Sequence, residues 1–192
     1  MKRTRYHLIL RFAAISLFIA GIIWLIAGIV SPRLAGKWTS TENERAVLVR
    51  LKKIVEAQKQ FHDEDRDGNG KSDYWREDIM GLYFAKGADG RPLKMIELAI
   101  ALADGNSMQS TIEFGEPAPT VGYWFKSLTF FGEKVPDPTK WAVVAYPDSM
   151  LAGRALFITD SSGKILKKAI DSPQNLEFYP ANPEQEGWKP IE

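Results

Sequence analysis

From Phe12 to Val30 the chain reads FAAISLFIAGIIWLIAGIV, an unbroken run without a charged side chain. As a helix rising ~1.5 Å per residue it reaches ~28 Å, the thickness of a bilayer's hydrocarbon core. A helix of that length can cross a bilayer, so the run predicts a transmembrane helix. The competing reading is a cleaved signal peptide, whose apolar part is usually ~7–15 residues and is followed by small residues at the cut. Leu34-Ala35-Gly36 leaves that alternative open. Lys2, Arg3, Arg5 and Arg11 precede the run and only Arg33 and Lys37 follow closely, which predicts a cytoplasmic N-terminus and an outward-facing remainder. The expected organisation is a basic cytoplasmic tail over 1–11, a membrane helix over 12–30, a connector over 31–41 and an extracytoplasmic domain over 42–192.

Charge divides at the same boundary. Residues 1–37 carry six basic side chains and no acidic one, leaving 19 basic against 24 acidic groups in the rest, a net charge of −5. An acidic body lacks the clustered cations that a nucleic-acid surface needs. With no Cys anywhere, disulfides, thiolate zinc sites and dithiol chemistry are excluded together.

After the connector, Thr41 and Glu44 have the spacing of a capping box, and Leu48, Leu51, Val55, Ala57 and Phe61 follow at near-helical intervals. This second, amphipathic helix ends in HDEDRDGNG, Ala-free and rich in turn formers. Short helices are expected over Tyr74–Phe84 and, after Pro92, over Leu93–Ala103. Tyr123–Phe131, Trp141–Tyr146, Ala155–Thr159 and Ile165–Ile170 are aromatic and β-branched and read as strands, the last two joined by a hairpin at Asp160-Ser161-Ser162-Gly163. Lys164, Lys167 and Lys168 suit a solvent-facing edge strand, and the tail beyond Pro173 reads as irregular. Helices followed by a run of strands imply an α+β domain with a C-terminal antiparallel sheet.

A membrane helix, an amphipathic helix and a C-terminal antiparallel sheet together resemble bacterial type IV pilins and type II secretion pseudopilins. LKKIVEAQKQFHDEDRDGNGKSDYWREDIMGLYF (51–84), with WAVVAYPDSMLAGRALFITDSSGKIL (141–166) downstream, is similar to a family of bacterial pilin-like proteins. The resemblance implies a pilin-like fold anchored in the inner membrane, facing the periplasm. One departure bears on function. Prepilin processing needs Gly-Phe and a Glu five residues into the mature helix, whereas Gly21, Gly28 and Gly36 precede Ile22, Ile29 and Lys37, and the first Glu is Glu42. This points to an uncut anchor in place of a processed filament subunit.

One stretch carries chemistry. Asp65, Asp67, Asn69 and Asp73 stand at positions 1, 3, 5 and 9 of a calcium loop, with Gly70 at the sharp turn and the Lys71 carbonyl at position 7. A hard cation wants six to eight oxygens, and alternate side chains of a tight Gly-containing loop point inward. Position 12, normally a bidentate Glu, is Arg76; Asp63, Glu64, Glu77 or Asp78 would have to substitute. The alternative is a solvated acidic turn. His62 lacks the companion ligands of a zinc site and reads as a helix-terminal residue. The aromatics of 123–146 read as core. No P-loop, GxGxxG, HExxH or GxSxG signature occurs.

The leading functional expectation is therefore a non-enzymatic, membrane-anchored pilin-like module that works by contact with envelope proteins and binds no nucleic acid. A calcium-dependent binding module using Asp65–Asp73 is the alternative, and an extracytoplasmic enzyme a remote one.

Overall fold

The computed structural model describes residues 40–106, 115–133 and 137–191, all within one compact unit. The expected cytoplasmic tail, the membrane helix and most of the connector lie outside the described residues. Among the described residues no helix is long and apolar enough to cross a membrane.

Helix α1 (Ser40–Glu64) extends ~37 Å at 1.5 Å per residue. Its buried stripe is Asn43, Val47, Leu51, Ile54, Ala57, Gln58 and Phe61, a three-four spacing that keeps one face on the core. Leu48 and Val55, expected at the centre of that stripe, sit at its margin, half-buried. Thr41 lies inside the helix, so the capping box does not form. Glu44 instead reaches the sheet, accepting from the Arg154 N–H at 3.2 Å and the Lys167 ammonium at 2.8 Å.

Five strands build the main sheet: β1 (Tyr123–Ser127), β3 (Ala142–Pro147), β4 (Ala155–Asp160), β5 (Ile165–Ala169) and β7 (Lys189–Pro190), in that order and antiparallel throughout. A parallel pair, β2 (Thr129–Phe130) and β6 (Phe178–Tyr179), lies apart from it. Side chains alternate between faces along a strand. Tyr123, Phe125, Val143, Ala145, Ala155 and Phe157 thus share a core with α1, while Val144, Leu156 and Ile158 join Leu128, Ile170 and Trp188 on the opposite face. Burial on both faces explains why β3 and β4 read as continuous apolar runs. The α+β architecture with an antiparallel sheet is as expected.

Three expectations need correction. Only Gly81–Phe84 (α2) and Leu98–Ala101 (α3) are helical within the two segments expected to be helices. Asp104 takes the N–H groups of Ile79 and Met80 at 2.8 Å each, and Asp78 takes that of Gly81 at 2.6 Å. Leu93, Lys94 and Met95 donate backward to Ala85, Tyr83 and Leu82, so their donors are spent on a backbone return that replaces the first helical turns. The tail beyond Pro173 is structured: Trp188 is buried, and β6 and β7 both belong to it. Consequently β5 is not an edge, because Leu166 and Lys167 pair with Pro190 and Lys189. The Asp160–Gly163 hairpin forms as expected, with Gly163 at φ 73° and its N–H on the Asp160 carbonyl at 2.8 Å.

Candidate functional site

The acidic loop begins where α1 stops. Asp65 adopts a left-handed conformation, φ 46°, and the Arg66 N–H turns back to the Phe61 carbonyl at 3.4 Å, a Schellman-type ending. Asp tolerates this region better than most non-Gly residues. One residue thus terminates the helix and opens the loop.

Inside the loop the hydrogen bonds fold the chain around a common point. The Gly70 N–H donates to Asp65 Oδ2 at 2.9 Å, the Asn69 N–H to Asp67 Oδ1 at 3.3 Å, and the Lys71 N–H to Asn69 Oδ1 at 2.8 Å. Asn69 Nδ2 bridges Asp67 Oδ2 at 2.8 Å and Asp73 Oδ2 at 3.2 Å. Asp67, Asn69 and Asp73 therefore meet. Asp65 Oδ1 is buried and has no hydrogen-bond partner. Lys71 contributes its backbone N–H to the turn, and among the described residues its carbonyl accepts no hydrogen bond. Among the described residues no three His, Cys, Asp or Glu side chains gather as a ready-made metal site; the Asn69 amide occupies the space between the two carboxylates. Gly68, φ 71°, faces Ala88 so closely that a Cβ there would stand 2.6 Å from the alanine methyl.

The missing position-12 carboxylate has a structural explanation. Arg76 turns away from the loop, donating to the Asp137 carbonyl at 2.7 Å and to Glu133 Oε2 at 3.0 Å. The Asp137 N–H on Glu133, helped by Arg76, holds the Glu133 carboxyl below its ordinary range. Asp78 is committed to the Trp75 indole N–H and the Gly81 N–H. Asp63 pairs with His62 Nδ1 at 2.9 Å and Glu64 with Arg66 at 3.2 Å. Of the suggested substitutes, Glu77 alone makes no such bond among the described residues. Asp65 holds one unpartnered oxygen and Asp67, Asn69 and Asp73 converge, but Asn69 turns its Nδ2 donor toward both carboxylates, so the arrangement as it stands does not present the oxygens a hard cation requires. It falls short of a full shell, which water would have to complete.

Packing ties this loop to the core. His62 stacks on Tyr74 with ring centroids 4.5 Å apart, a helix-terminal place as expected. Trp75 meets Phe61 edge to face at 6.0 Å. Of the strand aromatics Tyr123, Phe125 and Trp141 are buried and Phe130 and Tyr146 pack half-buried against the second cluster, whereas Trp124 is half-exposed and Phe131 is 76% exposed and touches Phe178 edge to face at 6.0 Å.

Two features were not legible as sites. Asp104, just past the segment expected to be a helix, is a buried carboxylate accepting three N–H groups, those of Ile79, Met80 and Asn106, each at 2.8 Å. Burial nevertheless pushes its pKa upward. The second is a groove along α1 and β7, treated below. No family model matches the chain, and no curated protein or solved structure matches it either.

Proposed function

We propose that this chain is a membrane-anchored, non-enzymatic module that acts by protein contact at the outer face of a bacterial inner membrane, in a secretion or pilus-like setting. The observation that carries this reading is the placement of α1. It begins at Ser40, ten residues after the apolar run ends at Val30, and it lies along an antiparallel sheet formed by the later part of the chain. That order of parts is the basis of the pilin resemblance. Carbonate extraction of bacterial membranes carrying the full chain, with alkaline phosphatase fused after Glu192, tests the placement. Retention in the pellet with an active phosphatase is expected; release into the supernatant, or an inactive phosphatase, overturns it. In-cell photo-crosslinking then tests the contact role, and a chain recovered only as monomer counts against it.

A second reading rests on the acidic loop: calcium held by Asp65, Asp67, Asn69, Asp73 and the Lys71 carbonyl. The unpartnered Asp65 oxygen favours it. Such an ion would fasten the end of α1 to the Tyr74-Trp75 segment and so act structurally. Melting of the full chain in neutral detergent, with calcium or with chelator, tests this. A ligand that binds only the folded state at a hundred times its dissociation constant stabilises by ~2.7 kcal/mol.

A further inference from the structure

The domain is acidic, yet cations collect along one side. A groove of about 530 Å³ runs between α1 and the β4–β5 hairpin, with Leu48, Val55, Ile165, Pro190 and Ile191 as its apolar lining and Lys52, Glu56 and Lys164 at its polar positions. A second hollow of about 580 Å³ shares Pro190 and Ile191 and adds Lys167, Lys168 and Lys189. Among the described residues five lysines therefore border the two hollows against one carboxylate, Glu56. Lys167 is bonded to Glu44 and lies 5.7 Å from the Phe157 ring, and Lys168 lies at the same distance from Trp188. Lys52, Lys164 and Lys189 are exposed, and their ammonium groups make no hydrogen bond or ion pair among the described residues. Lys164 also lines a neighbouring cleft of about 340 Å³, together with Asp160 and Glu184.

We propose that this lysine-bordered groove is a docking site for an acidic segment of a partner protein, with an apolar side chain seated between Leu48, Val55 and Ile191 and carboxylates on Lys52, Lys164 and Lys189. Charge sets the occupant. A cationic rim on an anionic domain steers acidic partners and repels basic ones. Shape favours a peptide over a bilayer, because the apolar floor is recessed where a headgroup plane would need a flat or raised surface. Strand addition is not the mode of binding: β7 is two residues long and includes Pro190, which has no N–H to offer. The groove gives the partner chemistry of the contact module proposed above and rests on that reading for its biological role. Peptide binding is read on the groove's own lysines, so a failure here leaves the anchoring result standing.

The test uses the full chain in neutral detergent micelles and a fluorescein-labelled peptide of roughly eight residues alternating Glu and Val, ~26 Å when extended. Fluorescence anisotropy should show saturable binding that weakens about tenfold or more in the Lys52→Glu/Lys164→Glu/Lys189→Glu variant and with added salt. Lys126→Glu, on β1, should bind as the parent does. Equal melting temperatures establish that the triple variant is folded. Absence of saturable binding, equal binding of a Lys-Val peptide, or an unchanged affinity in the triple variant each overturns the proposal. So does a triple variant that loses binding to phosphatidylglycerol vesicles while keeping the peptide, which would assign the lysines to lipid.

Discussion

The side-chain amide of Gln58 and the peptide groups of Trp75 hold each other at two points: Gln58 Nε2 donates to the Trp75 carbonyl at 2.6 Å, and the Trp75 N–H donates to Gln58 Oε1 at 3.1 Å. Gln58 is 2% exposed, so an interior amide substitutes for a backbone partner and fixes the segment after the loop against α1. Gln58→Ala would strand both Trp75 groups and open a void, at a cost of about 2–4 kcal/mol. A urea midpoint within error of the parent would mean that water takes over both bonds.

Asp65 combines two roles that substitution separates. Asp65→Gly removes the strain of a left-handed Asp, worth roughly 0.5–1 kcal/mol, and loses the acceptor for the Gly70 N–H, worth about as much. Without calcium its melting temperature should therefore stay near the parent's. In millimolar calcium the parent should melt higher, while Asp65→Gly and Asp67→Ala should not respond. A calcium response retained in Asp67→Ala would remove the loop as the ion's site.

Gly153 lies against the ring and hydroxyl of Tyr123, a fully buried side chain whose O–H donates to the Ala155 carbonyl at 3.1 Å. A methyl at 153 collides with that ring, so Gly153→Ala should cost about 2–4 kcal/mol by displacing it and breaking the bond. In a Tyr123→Phe background the same substitution should cost measurably less, since the hydroxyl is the nearest obstacle. Thermal denaturation of the four proteins closes the cycle; strict additivity would show that the two positions do not interact.

Asp104 governs one component of the pH dependence. Burial raises its folded pKa above the ordinary 3.8, with the nearby Asp78 charge adding to the rise. The folded state then holds a proton that the unfolded chain releases, so its contribution to stability is fully present below 3.8 and is lost as pH rises through the folded value. Asp104→Asn removes an acceptor oxygen and should destabilise at every pH, by about 1–3 kcal/mol. Its penalty relative to the parent should be larger below pH 3.8 than at neutrality. Urea midpoints for both proteins across that range give the sign. A penalty that grew with pH would mean that the three N–H donors outweigh burial.

Periodicity made α1 and the four long strands legible, because their burial patterns depend on local spacing that any chain of this composition must respect. The hairpin at Gly163 was readable for the same local reason. The segments 74–84 and 93–103 were not, since their backbone donors are claimed by Asp104, by Gln58 and by each other across intervals that no sequence window contains. Pro173 and its polar surroundings concealed a buried Trp188, whose role appears only when it meets Leu156 and Ile158. In the acidic loop the residue types and their spacing were visible. The diversion of Arg76 to Glu133, which explains the absent twelfth ligand, depended on a partner fifty-seven positions away.

The opposite margin of the main sheet is closed as firmly as the lysine side. Phe125 on β1 donates its N–H to the Ala103 carbonyl at 2.8 Å and accepts from the Gly105 N–H at 2.6 Å, so the turn after α3 takes the bonds that a further strand would use. A proline in one border strand and a covering turn at Phe125 on the other shorten the free ladder from which cross-β fibrils grow. A second copy of the chain would therefore meet the main sheet through its side chains and find little backbone there to pair with.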